Sequence, residues 1–418
     1  MKRKGPLDKY LMAHAEAEVG ERIKLSRRYS HVACIPACDE QASLPTTLKT
    51  LSEARGANQA LVIVVINACD DAEAQIHQAN QACAQHLREQ AHLAEAPIAE
   101  GNFRGMGLVL VNRYSPNRRL PSKRGVGLAR KIAADLALAW MEDGSIEQRW
   151  IHCTDADVRV PTDYWEQPLK SASEPAALIY PFVHMPEGDA LQRKAMAYYE
   201  AYLRYYVHGL KQAESPHAYH SIGSLICIDA DAYAKVRGFP KRAAGEDFYI
   251  LNKLAKVGAI ETLSGAPLKL EGRFSHRVPF GTGVALAQIR EKLAQNLPYE
   301  VYNPLIFVAL KHWLQALDIA SKHADISRFQ AALQEVAPPL GPILRRAVER
   351  TNSLKPLQNA MESVRGDVLR KRIDDWNDAF RTLKMVHALR DEGLGTVPAD
   401  EVLKAFMSAA PQASSSEG

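Results

Sequence analysis

The chain has 418 residues, of which 47% are hydrophobic and 24% are charged. This composition is typical of a globular protein with a sizeable core and excludes a disordered chain, and at about 150 residues per domain the length predicts two to three domains. Lys and Arg number 52 and Asp and Glu number 48, so the formal net charge is +4. A charge this small does not by itself indicate a nucleic acid or a membrane surface as partner.

The apolar runs and the cysteines both favour a cytoplasmic protein. The longest apolar runs hold about seven residues, whereas a membrane-spanning helix needs about 20, so no transmembrane segment is predicted. The basic start of the chain has no apolar stretch behind it and is not a secretory signal. The six cysteines include no Cys-x-x-Cys pair, and we expect them to be free thiols in a reducing compartment.

Short β-rich runs alternate with helical patterns from about residue 30 to residue 285. Between the first two runs, Leu44, Leu48 and Leu51 mark one face of a helix, with Ser43 as its predicted N-cap. The predicted strands are 31–35, 60–66, 107–111, 149–154, 176–180, 224–228 and 268–271. This alternation predicts an α/β fold with three layers and a mostly parallel sheet.

The strand pattern ends near residue 286, and helical patterns follow one another to about residue 408. We expect an N-terminal helical extension (1–29), an α/β domain (30–285), an all-helical C-terminal region (286–410) and a disordered tail (411–418). The sequence leaves three roles open for the helical region: it forms an oligomer, it covers an acceptor, or it docks on a membrane surface through an amphipathic face.

Acidic and amide side chains follow the predicted strands at their carboxyl ends, where ligands bind in open α/β sheets. Glu40 follows the first strand, Asn67 follows the second, and Asp155 and Asp157 follow the strand 149–154. Two carboxylates spaced two apart where a strand ends can face one cation, and oxygen ligands suit Mg²⁺ or Mn²⁺. The structural alternative is a set of acids that only cap the following helices.

Glu246 and Asp247 form a second acidic pair, in the first turn of a helix predicted to begin after Gly245. Acids are favoured there by the helix dipole, which is a sufficient structural explanation. The functional interpretation is a carboxylate that takes a proton from an attacking hydroxyl.

Residues 113–131, which we call the basic segment, contain seven Lys and Arg side chains and no acid. They predict a local anion site, because Gly125 and Gly127 open a helix whose N-terminus can approach a phosphate. The alternative is a solvated basic loop. Nucleic acid is not expected as a partner, because the cations are not interleaved with a run of aromatic side chains.

Taken in order, these segments resemble glycosyltransferase family 2, whose members have the GT-A fold and use nucleotide-sugars. The resemblance is carried by IPACDEQASLPTTLKTL, VVINACDDAE, GVGLARK, CTDADV, SIGSLICIDADAYAKVRGFP and AGEDFYILNKL, which together cover about residues 30–285. It implies a GT-A glycosyltransferase that takes a nucleotide-diphosphate sugar as donor, requires Mn²⁺ or Mg²⁺, and transfers a hexosyl group to an acceptor hydroxyl.

The resemblance also implies roles for individual residues on the donor side. Asp157 would bind the metal, His276 would complete its coordination as in some GT-A enzymes, and Asp155 would face the ribose or a metal-bound water. The nucleoside pocket and its surroundings would contain Pro36, Ala37, Glu40, Asn67 and Arg130.

On the acceptor side, Gly223 and Ser224 would form the floor of the acceptor site. Asp247 matches the catalytic base of inverting members, with Glu246 beside it to hold the acceptor or the base. Arg277 and the basic segment indicate a phosphate- or carboxylate-bearing acceptor.

Departures from the family pattern leave several points open. Cys38 and Asp39 stand where an aromatic residue and Asn are common, and Lys131 replaces a frequent Asn, so the donor's base and sugar are not assigned. A retaining outcome stays open beside the inverting one. The alternatives to a glycosyltransferase are a sugar-phosphate nucleotidylyltransferase, although no glycine-rich loop follows the first strand, and a non-catalytic scaffold that binds nucleotide-sugars.

Overall fold

The structure is a computed structural model that describes residues 5–185, 188–272 and 282–407. Contacts divide the chain into two units: Met1–Glu187 with Ser221–Val284, and Gly188–His220 with Ala285–Gly418. The predicted site residues His276 and Arg277 and the predicted tail, 411–418, lie outside the described residues.

The first unit contains an eight-stranded sheet and a three-stranded sheet. Its strands are β1 (His31–Ala37), β2 (Ala60–Asn67), β3 (Ile98–Phe103), β4 (Met106–Arg113), β5 (Trp150–Cys153), β6 (Val158–Arg159), β7 (Ala177–Ile179), β8 (Phe182–Met185), β9 (Ile226–Asp229), β10 (Ile260–Thr262) and β11 (Leu268–Glu271). The order is β10-β7-β9-β5-β1-β2-β4-β3 in the large sheet and β6-β11-β8 in the small one.

The large sheet is mostly parallel, as predicted. Strands β10, β7, β5, β1, β2 and β4 run in one direction, and β9 and β3 run antiparallel to their neighbours. In the parallel register of the two central strands, His31 lies opposite Ala60 and Ala37 lies opposite Ile66. Both strands are buried along their whole length, which is typical of a parallel sheet covered by helices on both faces. The predicted three-layer α/β architecture is therefore confirmed.

Sixteen α-helices lie within the described residues. They are α1 (Pro6–Ala13), α2 (Leu44–Glu53), α3 (Ala74–Ala91), α4 (Gly125–Glu142), α5 (Ala190–Gln212), α6 (Ala230–Lys235), α7 (Glu246–Leu254), α8 (Thr282–Ala294), α9 (Leu305–His323), α10 (Ile326–Gln334), α11 (Leu340–Arg350), α12 (Leu354–Ser363), α13 (Gly366–Trp376), α14 (Ala379–Leu389), α15 (Ala399–Val402) and α16 (Lys404–Met407). The predicted face of α2 is buried at Leu44, Leu48 and Leu51, but the hydroxyl of Ser43 does not cap the helix. It donates instead to Oε2 of Glu271 at 2.9 Å.

The N-terminal residues are fixed to α4 by a buried polar network. The Tyr10 hydroxyl donates to Oδ1 of Asp135 at 2.6 Å, and Nζ of Lys131 donates to Oδ2 of the same carboxylate at 2.8 Å. Tyr233 adds a third hydrogen bond to Asp135 at 2.8 Å. Burial raises the pKa of Asp135. The positive charge of Lys131 and the hydrogen bonds that Asp135 accepts oppose that rise. The extension therefore forms part of the first unit.

The second unit is helical, as predicted, and is built from α5, most of α8 and the helices that follow α8. A departure from an all-helical region is the antiparallel ribbon of β12 (Glu300–Tyr302) and β13 (Thr396–Pro398). The Tyr205 hydroxyl of α5 donates to the carbonyl oxygen of Tyr302 at 2.7 Å, which joins the ribbon to the helices.

Two further expectations concern membrane spans and thiols. Across the described ranges, none of the helices combines the length and the apolar character needed to cross a membrane. All six cysteines fall within these ranges, and all are free thiols.

Candidate active site

The candidate site lies at the carboxyl ends of β1, β2 and β5, where an α/β sheet places its ligands. Asn80 of α3, a residue with no signal in the sequence, joins the first two strand ends. Its Oδ1 accepts from the backbone N–H of Asp39 at 2.8 Å, and its Nδ2 donates to the carbonyl oxygen of Asn67 at 2.9 Å. Asp39 has a φ of 57°, so this contact fixes a turn that most side chains would disfavour.

Four of the predicted donor-side residues lie at these two strand ends. Pro36 and Ala37 are the last residues of β1, and the buried Glu40 follows in the turn. Asn67, also buried, ends β2. When the Asn67 amide is oriented with its nitrogen toward the neighbouring backbone carbonyls, that nitrogen donates to the carbonyl oxygens of Val65 at 3.2 Å and Ala37 at 3.3 Å. Its amide therefore holds the two strand ends together.

The turn after β5 presents Asp155 and Asp157, both half-buried. Thr47 of α2 fixes this turn, because its hydroxyl donates to the carbonyl oxygen of Ala156 at 2.7 Å and accepts from the backbone N–H of Val158 at 3.2 Å. Both peptide groups that flank Asp157 are thus held by one buried threonine, which the sequence did not single out.

Arg130 of α4 connects this turn to the first turn of α7, and we call the contact the Arg130 bridge. Its Nε donates to Oε1 of Glu246 at 2.8 Å, its Nη2 donates to the carboxylate of Asp155, and its Nη1 donates to the carbonyl oxygen of Thr154 at 3.4 Å. The side chains of Arg130 and Glu246 are 3% and 5% exposed, so this pair is buried, whereas Asp155 is 35% exposed. In this structure the Arg130 guanidinium contacts these protein groups, and its contact with a nucleotide stays a prediction.

Gly223 and Ser224, the predicted acceptor floor, lie in a buried 3₁₀ turn before β9. A Cβ at Gly223 would stand 2.5 Å from Nη2 of Arg130. Since the guanidinium is held by two carboxylates, a side chain at this position would break the Arg130 bridge. This requirement accounts for glycine here independently of any acceptor.

Asp247, the predicted base, is half-buried in the first turn of α7. Burial and then the negative charge of Glu246 raise its pKa to about 7, while the Phe248 N–H and Arg130 oppose the rise. Its Oδ1 accepts from the backbone N–H of Phe248 at 2.7 Å. A carboxyl group with a pKa near neutrality both accepts and returns a proton at physiological pH, which is the property that general base catalysis requires.

The basic segment differs from the predicted cluster of seven available charges. Arg113 pairs with Glu18 at 3.1 Å and Arg118 pairs with Glu21 at 2.6 Å. The other two cations of the segment with acidic partners are Arg130 and Lys131. Within the described part of the chain, Arg119, Lys123 and Arg124 are the members that pair with no carboxylate.

The glycine at position 127 also has a structural reason. The backbone N–H of Gly127 donates to the carbonyl oxygen of Arg242 at 3.0 Å, and a Cβ would stand 2.4 Å from the carbonyl oxygen of Pro240. The segment 240–242 therefore packs directly on the first turn of α4. The prediction that this turn approaches a phosphate is not tested by these contacts, but its second glycine is required for packing.

Two carboxylates on one turn can hold a divalent cation of the predicted kind. Among the residues that the structure describes, no group of three or more His, Cys, Asp and Glu side chains could hold a metal ion. Mg²⁺ at nucleotide sites commonly takes one or two protein carboxylates and completes its shell with phosphate oxygens and water. The fixed, half-buried pair Asp155 and Asp157 fits that donor set.

Comparison with known proteins finds likeness only among solved structures. No protein-family model and no curated protein matches the chain. TarS residues 1–349 of S. aureus in complex with UDP-GlcNAc is 12% identical, with a TM-score of 0.41, and the match covers 81% of this chain and 93% of that one. The mannosyltransferase PcManGT from Pyrobaculum calidifontis, in complex with GDP-Man and Mn²⁺, is 16% identical, with a TM-score of 0.35 and coverage of 90% and 94%. At these TM-scores the likeness supports no conclusion about function, which therefore has to be argued from the site.

Proposed function

We propose that the protein is a glycosyltransferase of the GT-A type that moves a hexosyl group from a nucleotide-diphosphate sugar to an acceptor hydroxyl, with inversion. The observation that carries the proposal is the Arg130 bridge. One buried guanidinium positions Asp155, on the turn suited to a cation, and the helix turn that bears Asp247, whose pKa is raised to about 7. The transfer needs a cation to stabilise the diphosphate leaving group and a base to take the proton of the acceptor hydroxyl, and in this proposal the Arg130 bridge holds the two sites together.

Asp247 acts as the base in this proposal. As the acceptor oxygen forms a bond to the anomeric carbon, the bond from that carbon to the diphosphate oxygen breaks, and the acceptor proton moves to the Asp247 carboxylate. The electron pair leaves with the nucleoside diphosphate. With a pKa of about 7, a large fraction of Asp247 is ionised at neutral pH and ready to accept that proton.

Glu246 and Arg130 are positioning residues in this proposal. The negative charge of Glu246 raises the pKa of Asp247, and the contact of 2.8 Å with Nε of Arg130 fixes the position of the Glu246 carboxylate. Asp157, with Asp155, would hold Mn²⁺ or Mg²⁺, which when bound supplies positive charge to the diphosphate leaving group. In this proposal Asn67 and Glu40 would line the nucleoside side of the site.

An anionic acceptor remains part of the proposal. Its support is the set of three cations of the basic segment that have no acidic partner in the described part of the chain, Arg119, Lys123 and Arg124. A phosphate- or carboxylate-bearing acceptor would supply the missing negative charge.

The test is the release of nucleoside diphosphate from a panel of UDP- and GDP-sugars, with Mn²⁺, Mg²⁺ or a chelator. Asp247→Asn should lower turnover by about 100-fold or more, because a positioned base contributes about that much, while the donor still raises the melting temperature. Asp231→Asn is the matched control, since Asp231 also lies in the first turn of a helix of the same unit. The anomeric proton of the product, observed by NMR, reports inversion or retention.

The outcomes separate the alternatives. Unchanged turnover in Asp247→Asn would remove the base assignment. Pyrophosphate release from a nucleoside triphosphate and a sugar phosphate would identify a nucleotidylyltransferase. Donor binding without turnover on any acceptor would identify a non-catalytic scaffold, and no binding of any nucleotide would overturn the proposal altogether.

A further inference from the structure

The second unit contains a cleft of about 510 Å³ among α12, α13 and α14, a size that suits a small organic ligand. Its apolar walls include the buried residues Leu357, Ala360 and Ile373. Its polar lining is made by Thr351, Asn352, Lys355, Asn359, Arg372, Trp376 and Arg381. The lining includes three cations and no carboxylate.

The three cations of the cleft have no acidic partner among the residues that the structure describes, although their neighbours do. On α13, Arg370 pairs with Asp318 and Lys371 pairs with Asp375. The next residue, Arg372, lines the cleft and pairs with no carboxylate of the described chain. Lys355 and Arg372 are both exposed. Since exposed cations on helices commonly find an acid three or four residues away, an unpaired set around one concavity points to an external anion.

The third cation, Arg381, lies against Trp376, with its guanidinium carbon 4.3 Å from the centre of the indole ring. This stacking fixes the guanidinium plane without using its N–H groups, so they stay available to an oxyanion. The acid nearest to it in sequence is already engaged, because Asp378 accepts from the backbone N–H of Arg381 at 3.2 Å as the cap of α14. The indole N–H of Trp376 is buried and has no acceptor among the described residues.

We propose that this cleft binds a small phosphorylated molecule. The donors Lys355, Arg372 and Arg381 would contact the phosphate, for which arginine is the preferred partner. The apolar floor of Leu357, Ala360 and Ile373 would contact the rest of the ligand. A dianionic phosphate matches three cations better than a single carboxylate does. This site is separate from the proposed transferase site and does not depend on it.

The test is calorimetric titration of the full chain with inorganic phosphate, pyrophosphate and glucose 6-phosphate. About 150 mM salt suppresses unspecific surface binding, and EDTA removes binding that needs a divalent cation at the candidate active site. Lys355→Gln and Arg372→Gln should each weaken binding about tenfold, because each removes a charge-assisted contact to phosphate. Both side chains are exposed, so the variants should fold.

Lys384→Gln is the matched control. Lys384 is an exposed lysine on α14 that does not line the cleft and forms no ion pair within the described ranges, so this variant removes the same charge from the same region. It should bind the probes as the unmodified chain does. In addition, Trp376→Phe should abolish the change in tryptophan fluorescence that accompanies binding.

The proposal is overturned if none of the three probes binds saturably, or if Lys355→Gln and Arg372→Gln bind like Lys384→Gln. It is also overturned if only long polyphosphate chains bind, since that would indicate a surface for a polyanion. Loss of transferase activity through Asp247→Asn has no bearing on this outcome, because the variants and the readout are distinct.

Discussion

Replacing Arg130 with methionine tests whether the Arg130 bridge holds the candidate site together. The change removes the charge and keeps most of the side-chain volume. Its buried partner Glu246 is 5% exposed, and removing one member of a buried pair commonly costs about 3 to 5 kcal/mol. Asp155 is 35% exposed, so its share should stay below about 1 kcal/mol. We therefore expect a loss of about 3 to 5 kcal/mol in the free energy of unfolding of the first unit.

Hydrogen exchange is the suitable assay, because peptides from α4 and α7 report the first unit by itself. Arg149→Met is the matched control: Arg149 also lies between two carboxylates, Asp229 and Asp231, but its side chain is 59% exposed. The control should lose less than about 1 kcal/mol.

A double variant separates the charge pair from the packing. When Glu246→Gln is added to Arg130→Met, the uncompensated buried charge at position 246 is removed, so stability should return by about 2 kcal/mol. A loss below about 1 kcal/mol in Arg130→Met, or strict additivity of the two changes, would refute the reasoning that the Arg130 bridge stabilises the site.

Further predictions follow from single contacts. Gly127→Ala should destabilise the first unit by more than about 2 kcal/mol, because the new Cβ would stand 2.4 Å from the carbonyl oxygen of Pro240. The control Gly125→Ala, whose Cβ would have its nearest contact at 3.6 Å, should change stability little, and unfolding in urea compares the two variants. Asp247→Asn should stabilise the first unit at pH 8 and not at pH 4. The pKa of Asp247 is raised from 3.8 to about 7 in the folded chain, so its ionisation lowers the stability progressively as the pH rises from about 4 to 7, by at most about 4 kcal/mol. Equal effects at pH 4 and pH 8 would contradict the raised pKa. Tyr10→Phe should increase exchange in α1 and lower stability by about 1 to 3 kcal/mol, since it removes a hydrogen bond to a buried carboxylate; unchanged exchange would show that α1 is held by other contacts.

Two of the strands that the sequence predicted correctly, β1 and β2, share one physical property. β1 and β2 are continuous runs of branched and small apolar residues that are buried on both faces, and such runs identify themselves without tertiary information. Six strands of the described chain were missed, and three of them illustrate that the missed strands are short or interrupted by polar residues: β6 has two residues, β10 has three, and β3 reads Ile-Ala-Glu-Gly-Asn-Phe. They form because a neighbouring strand is present to pair with, and no local pattern encodes that.

The basic segment shows why local charge was a poor guide. Its count of seven cations and no acid was correct along the sequence, but Arg113 and Arg118 pair with Glu18 and Glu21, almost one hundred positions earlier in the chain. Asn80 and Thr47 show the same limit from the other side. Each is an ordinary polar residue on a helix, and its role at the strand ends exists only once that helix has docked on the sheet.

The charges around the Arg130 bridge bear on the kind of ligand that the candidate site accepts. Three carboxylates, those of Asp155, Glu246 and Asp247, lie near one guanidinium, so the formal charge of this group is 1 − 3 = −2 when Asp247 is ionised and 1 − 2 = −1 when it is protonated. This excess of negative charge is part of the reason why the pKa of Asp247 is raised to about 7. It would also repel a bare diphosphate, because like charges in a half-buried site are poorly screened. In the proposed function a nucleotide-sugar would therefore bind here far better together with a divalent cation than alone, and this is the physical reason for including a metal in the proposal.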